Sequence, residues 1–263
     1  MQTTLPHASP ARVRLFDLDI VAATFPQAVD LLTTAVQSRQ GPAGIVSTPN
    51  VDYVVRLDQQ RGLQPAYRQP DYLFADGMPI IWASRLLGRP LPERVTGADL
   101  FVALCRRAVE HEWKVVILGG RPGDGPMLET RLGAAYPGID ATVITPSMQF
   151  DPLGDEGRDA ADRIRALAPD LVFVCLGMPK QEIWANRYAA TLAHGLILCV
   201  GAAMEFAIGL QRRAPRLIQR LGFEWLWRLL SNPRRLWRRY LVEDTRFLAI
   251  CWREYRRPHT DER

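Results

Sequence analysis

The feature that most narrows the fold is an alternation that repeats up to residue 200. Apolar runs of strand length are each followed by a turn bearing glycine or polar residues, and then by a segment of helical periodicity. Residues 44–47, 72–75, 114–118, 141–144, 171–176 and 196–200 read as strands, and 51–57, 79–87, 126–135, 157–167 and 181–192 as helices. Short runs of consecutive Val, Ile and Leu suit strands covered on both faces, the pattern of a parallel sheet with crossover helices. The expectation is an α/β fold, a Rossmann-like, mainly parallel sheet flanked by helices. Ligands of such sheets gather at the carboxyl ends of the strands. Chemistry is therefore sought in Thr48-Pro49-Asn50, Asp76-Gly77-Met78-Pro79, Gly119-Gly120-Arg121, Gly177-Met178-Pro179-Lys180-Gln181-Glu182 and Gly201-Ala202.

The remainder of the chain has a different character. Of 33 basic residues all but Lys114 and Lys180 are arginine, and from Leu210 onward fourteen arginines face six acids. The expected organisation is a slightly acidic catalytic domain over residues 1–209 and a basic helical appendage over 210–263. Pro215 and Pro233 divide the appendage, and Ser231-Asn232-Pro233 reads as a capped helix start. Beyond it Trp237, Tyr240, Leu241, Leu248, Trp252 and Tyr255 recur at spacings of three, four or seven, the signature of a basic amphipathic helix. Such a tail suits an anionic membrane surface, phosphate groups or nucleic acid. The longest apolar stretch, 195–210, is sixteen residues interrupted by Glu205, too short and too charged to span a bilayer. No secretory signal is evident at the N-terminus, and Cys105, Cys175, Cys199 and Cys251 show no paired spacing. They read as buried thiols of a reducing compartment. The expected location is cytoplasmic, peripheral on the inner face of the cytoplasmic membrane, with the tail against its anionic surface.

Each candidate site residue has a structural reading beside the chemical one. Asp76, at a strand end before Gly77, suits either a general base toward a hydroxyl or a cap of the next helix. Thr48 and Asn50 suit sugar hydroxyls, a phosphate or again a cap. Gly119 and Gly120 open a turn of the phosphate-cradling kind, but the dinucleotide fingerprint is incomplete and no Gly-Lys-Ser/Thr follows, which excludes a P-loop nucleotide triphosphatase. Asp17-Leu18-Asp19 has the spacing of a metal-binding pair, yet no further carboxylate or His cluster accompanies it, and His7, His111, His194 and His259 are scattered. No metal is expected. Arg228, Arg235 and Arg238 lie seven and three apart, and guanidinium groups suit a diphosphate because they bind bidentately and keep their charge.

Taken together, these motifs resemble the WecG/TagA/CpsF family of bacterial glycosyltransferases. The likeness runs from about Phe16 to Tyr240 and is carried by Thr48-Pro49-Asn50, Ala75-Asp76-Gly77-Met78-Pro79, Arg94-Val95-Thr96-Gly97-Ala98-Asp99-Leu100, Ile117-Leu118-Gly119-Gly120, Gly177-Met178-Pro179-Lys180-Gln181-Glu182, Arg213-Ala214-Pro215, Gly222-Phe223-Glu224-Trp225-Leu226-Trp227-Arg228-Leu229 and Pro233-Arg234-Arg235-Leu236-Trp237-Arg238-Arg239-Tyr240. The resemblance implies an inverting, metal-independent transferase without a cofactor. Its donor is a UDP-sugar, and its acceptor a sugar linked through diphosphate to a polyprenyl lipid. N-acetylmannosamine, its uronate and glucose are all donor sugars within the family. By the same resemblance Asp76 is the base, with Thr48, Asn50, Arg94 and Gln181 around it. Gly119, Gly120, Gly177, Pro179, Glu182 and Gly201 line the donor side, and Arg228, Arg235 and Arg238 close over the departing diphosphate. The 201–205 and 147–150 segments depart from the family pattern, which leaves the sugar open.

Two other classes compete. A nicotinamide-dependent oxidoreductase fits the glycine-rich turns but leaves the Arg/Trp tail without a role. A nucleic-acid-binding module uses the tail but leaves the strand-end motifs without one, so no nucleic acid is expected as partner. A homo-oligomer is compatible with the sequence.

Overall fold

A computed structural model of the chain describes residues 10–60, 70–215, 217–218, 222–231 and 233–257, with the side chains of Arg228, Arg235 and Arg239 outside the description. An antiparallel hairpin, β1 (Arg12–Leu15) and β2 (Leu18–Val21), precedes the main sheet. The sheet comprises β3 (Gly44–Ser47), β4 (Tyr72–Leu73), β5 (Lys114–Gly119), β6 (Asp140–Ile144), β7 (Leu171–Cys175) and β8 (Leu196–Cys199) in the order β4-β3-β8-β7-β5-β6. Every pairing in it is parallel. The chain leaves β3 toward one edge and reaches β8 from the other side. Connections therefore part between these two strands, where a crevice opens at their carboxyl ends.

Helices cover both faces. Val115 and Ile117 of β5 pack with Leu32 of α1 (Phe25–Ser38), Leu104 of α4 (Gly97–Glu110) and Leu132 of α5 (Gly125–Ala135). Val116 and Leu118 point the other way, onto Ile164 of α6 (Asp155–Leu167) and Trp184 of α7 (Lys180–Tyr188). Consecutive residues of one strand are thus buried in opposite layers, each Val, Leu or Ile contributing about 1.5–3 kcal/mol.

A third core joins the two ends of the chain. Leu15, Leu18 and Ile20 of the hairpin meet Val54 and Val55 of α2 (Val51–Gln59), Ile80 and Ile81 of α3 (Met78–Leu86), and Phe247 and Ile250 of α11 (Arg246–Arg256). Ion pairs tie the same helix down: Arg253 to Asp58 at 2.5 Å, Arg89 to the buried Glu254 at 2.8 Å, and Arg257 to Asp17 at 2.9 Å. Asp19 is engaged by Arg14 at 2.8 Å, so both carboxylates of the Asp17-Leu18-Asp19 pair serve ion pairs beside the hairpin.

The tail is divided at Pro233 as expected, but beyond it the single amphipathic helix expected is broken. After α8 (Ala203–Ala207) come α9 (Glu224–Ser231), α10 (Pro233–Arg238), a π-helical turn at Arg239–Glu243, and then α11. Its core-facing residues are Phe247 and Ile250, whereas Trp237, Leu241, Leu248, Trp252 and Tyr255, expected to form one apolar face, are exposed. The interruption after Arg238 prevents residues 237–255 from sharing a straight helical face. Of the expected helix start at Ser231-Asn232-Pro233, Asn232 lies outside the described residues. The four cysteines are free; Cys105 and Cys199 are buried, while Cys175 and Cys251 are only partly covered, short of the full burial expected for all four. No helix among the described residues is long and apolar enough to cross a membrane.

Candidate active site

The carboxyl ends of the strands are locked together before any ligand is considered. Asp76 N–H donates to the Pro49 carbonyl at 2.8 Å, which holds the loop after β4 against the loop after β3. Asn50 caps α2 by accepting from Tyr53 N–H at 3.0 Å. Its cap role and its place at the site coexist, because the other end of its amide is not needed by the helix. Gly201 N–H donates to Oε1 of Gln181 at 2.9 Å, linking the loop after β8 to α7. Nε2 of Gln181 in turn donates to Oε1 of Glu182 at 2.8 Å.

Two cavities open on this edge. A polar one of about 530 Å³ is lined by Thr48, Gly177, Gln181, Glu182, Gly201 and Arg212, among others. A more apolar one of about 320 Å³ is walled by Met78, Pro79, Trp225, Phe247 and Leu248, with Arg94 and Arg213 also lining it. Asn50, Asp52, Asp76, Ala98 and Tyr240 belong to both, so Asp76 stands where the cavities meet.

Glycines divide by what their missing side chain serves. Gly177 and Gly201, with φ of +74° and +56°, face open space in the polar cavity. At Gly119 an added Cβ comes within 2.7 Å of Cys175 Cβ, and at Gly120 within 2.6 Å of Leu128. The second pair thus lets β5 approach β7 and α5 closely, and neither residue lines the two cavities. Pro179, which precedes α7, lines neither. Of the two segments that depart from the family pattern, Gly201, Ala202 and Ala203 line the polar cavity and residues 147–150 do not.

Charge is balanced by the tail. Arg213 binds Asp99 at 2.5 Å and Glu224 at 3.6 Å, and Arg94 reaches the same Glu224 at 3.4 Å. Burial acts to raise the Asp99 carboxyl, but hydrogen bonds from Arg213 and Thr96 and the nearby guanidinium groups of Arg213 and Arg94 outweigh it and hold Asp99 below the ordinary carboxylate range. Burial acts to lower Arg213, and Asp99, Glu224 and Asp76 together reverse this, leaving its charge more secure. Glu182 has the opposite balance. It is 2% exposed, its Oε2 has no hydrogen-bond partner among the described residues, and burial pushes its carboxyl up to about 7.

Arg238 is exposed, lies 3.4 Å from Glu243 and lines neither cavity. The side chains of Arg228 and Arg235 lie outside the described residues. With α9 reaching Ser231 and α10 beginning at Pro233, Arg228 stands on a different helix from Arg235 and Arg238. Asp52, Arg56 and Arg212 are not among the residues that the sequence marks, Arg213 and Glu224 fall only inside motifs, and Tyr240 is marked only as part of the apolar face of the tail. Arg56 follows Asp52 by one helical turn and pairs with it at 3.1 Å, a spacing readable on α2. Among the described residues no group of three or more His, Cys, Asp or Glu is arranged to hold a metal ion.

A parallel sheet with a carboxylate between two cavities at its carboxyl edge defines an α/β protein of the Rossmann-like class. The chain belongs to the glycosyl transferase WecG/TagA/CpsF family, whose model matches residues 13–261, and it is a glycosyltransferase. It is 29% identical over 225 residues to an N-acetylglucosaminyldiphosphoundecaprenol N-acetyl-beta-D-mannosaminyltransferase of Bacillus spizizenii, covering 85% of this chain and 84% of that protein. It is 27% identical over 236 residues to a protein of the same description from Staphylococcus aureus strain MRSA252, covering 90% and 91%.

Proposed function

We propose that the chain transfers N-acetylmannosamine from UDP to N-acetylglucosamine carried on a polyprenyl diphosphate, with inversion at the anomeric carbon. The position of Asp76 between a polar and an apolar cavity carries this reading, because the reaction must join a water-soluble nucleotide sugar to an amphipathic acceptor. The descriptions of the Bacillus and Staphylococcus relatives support the choice of sugars.

Asp76 accepts the proton of the acceptor hydroxyl as its oxygen attacks the anomeric carbon. The bond from that carbon to the diphosphate breaks, and UDP leaves with the electron pair. Negative charge concentrates on the diphosphate, so fixed positive groups there lower the barrier. Arg212 and the open backbone at Gly177 and Gly201 line the polar cavity for this purpose. Arg228, Arg235 and Arg238 of the tail are assigned the same task, without a metal or cofactor; Arg238, which lies against Glu243 outside both cavities, takes it up only if the tail shifts toward the polar cavity. Thr48 and Asn50 hold the sugar hydroxyls, Arg94 the acceptor side, and Gln181 braces the donor side through Gly201. Exposed Trp237, Trp252 and Tyr255, interleaved with arginines, rest the protein on an anionic membrane from the cytoplasmic side.

The test is release of UDP from UDP-N-acetylmannosamine in the presence of a short-chain lipid-diphosphate N-acetylglucosamine. UDP-glucose and the uronate are offered in parallel. Turnover with the first donor well above the other two is expected. Preference for either alternative overturns the sugar assignment, and no turnover with any donor overturns the acceptor assignment.

A further inference from the structure

Gln181 ties together the two open glycines of the polar cavity. Its backbone N–H donates to the Gly177 carbonyl at 3.2 Å, and its side-chain Oε1 accepts from Gly201 N–H at 2.9 Å. One residue in the first turn of α7 thus links the loops after β7 and β8, both of which line the cavity. An amide side chain has nearly the same shape at either end, so shape does not decide which end meets Gly201. Turned over, Nε2 and the Gly201 N–H would face each other as two donors. Glu182 prevents this: its Oε1 accepts from Nε2 of Gln181 at 2.8 Å, which leaves the amide oxygen toward Gly201. Gln181 is 7% and Glu182 2% exposed, so water has little access to replace the carboxyl as acceptor.

A carboxyl is a costly group to bury, and Glu182 Oε2 has no hydrogen-bond partner among the described residues. That cost has an explanation when the bond made through Oε1 serves the site rather than the core. We propose that Glu182 is a positioning residue for the donor: by holding Nε2 of Gln181 it fixes the orientation of that amide, and so the placement of the Gly201 loop relative to Gly177. It acts through Gln181 rather than on the substrate. This rests on the donor reading above and adds to it a residue one hydrogen bond behind the cavity lining. What the role requires at position 182 is an acceptor at the right reach, not a negative charge, because a protonated carboxyl or an amide keeps a carbonyl oxygen.

Two conservative variants of the full chain separate reach from charge. Glu182→Asp keeps the carboxyl and draws it back by one methylene, whereas Glu182→Gln keeps the reach and removes the charge. In calorimetry with UDP, Glu182→Asp is expected to bind about tenfold more weakly than the wild type, and Glu182→Gln to recover most of that affinity. With UDP-N-acetylmannosamine the Asp variant is expected to raise KM by a similar factor and to lower kcat by less than about threefold. In a Gln181→Met background, Glu182→Asp is expected to cost no further affinity, because the group it positions is gone. Hydrogen exchange at the Gly201 amide reads the same contact without any ligand, and is expected to be faster in Glu182→Asp than in the wild type or Glu182→Gln. Equal UDP affinity of the wild type and Glu182→Asp overturns the proposal. So does an affinity for Glu182→Gln as low as that of Glu182→Asp, which assigns the effect to charge, or an additive loss in the Gln181→Met background, which places Glu182 on the donor itself. If the wild type binds no UDP, the donor reading fails, and exchange at Gly201 alone then decides whether Glu182 holds the amide.

Discussion

Arg213 reaches Asp99 at 2.5 Å across 114 residues of sequence, and this contact sets the tail against the start of α4. The same guanidinium extends to Glu224, which Arg94 also holds, so one cation fixes two carboxylates beside the candidate base. Arg213→Ala is expected to cost about 1–3 kcal/mol of stability, toward the lower end because Asp99 remains 41% exposed and partly screened by solvent. Turnover is expected to fall by more than stability alone explains, since Asp99 and Glu224, the partner of Arg94, lose their common cation. Denaturant midpoints beside UDP release measure the two effects. Because Asp99 is held below its ordinary value, its contribution is present above pH about 4 and is lost as pH falls further. Asp99→Asn should therefore flatten the acid limb of the stability profile.

Asp76→Asn keeps the backbone hydrogen bond to Pro49 and removes the proton acceptor. Turnover is expected to drop by on the order of 10²–10⁴, with UDP binding and the thermal transition nearly unchanged. Wild-type turnover in the folded variant would falsify the assignment.

Glu182 gives a pH dependence of the opposite sign to Asp99. Burial is the chief cause of its raised pKa, assisted by Asp52 and opposed by Gln181 and Arg56, and Cys199 of β8 also lies close enough to feel its charge. A carboxyl at about 7 in the folded chain and 4.5 as its ordinary value stabilises fully below pH about 4.5. That contribution declines as pH rises through about 7. Glu182→Gln should remove a decline of at most about 3 kcal/mol between pH 5 and 8. Equal slopes for the two proteins in urea melts at these pH values would refute the claim that Glu182 is buried with an unsatisfied oxygen.

The glycine pairs make a contrast that sequence alone does not offer. Gly119→Ala places a methyl within 2.8 Å of the Cys175 carbonyl and should destabilise by more than about 2 kcal/mol without weakening UDP binding by the folded fraction. Gly177→Ala meets no atom within 4 Å but is strained at φ +74°, for about 1–2 kcal/mol, and narrows the polar cavity. Its loss of UDP affinity should exceed that of Gly119→Ala, as calorimetry with UDP can show.

The readability of the chain followed burial. Leu171, Val172, Phe173 and Val174 are all buried, so their strand stands out as a continuous apolar run. The β1–β2 hairpin was not read as strands because polar Arg12, Arg14 and Asp19 interrupt it and its turn falls on Phe16 and Asp17. Both have positive φ and neither is the glycine or asparagine that marks such turns. The strand-end loops were legible as site candidates because parallel topology places them on one edge. Arg212 and Tyr240 were not, since only the path of the tail brings them there. In α11 two sets of residues compete at helical spacing, Phe247, Ile250 and Glu254 against Leu248, Trp252 and Tyr255. Periodicity has no means to distinguish a core face from an exposed apolar one.

That second set leads to a prediction about membranes. Truncating the chain after Leu210 removes Phe247 and Ile250 from the third core along with the arginine partner of Asp99, so it confounds folding with surface binding. Substitution of the exposed aromatics avoids this. Trp237→Ser combined with Trp252→Ser is expected to lower affinity for liposomes containing anionic lipid by about tenfold, with the circular dichroism spectrum unchanged. Arginines near the surface contribute about 1 kcal/mol each to the same contact, so raised salt should weaken binding of both proteins. Sedimentation with liposomes at two salt concentrations separates the apolar contribution from the electrostatic one. Unchanged binding by the double variant at both concentrations means that a different face of the molecule meets the lipid.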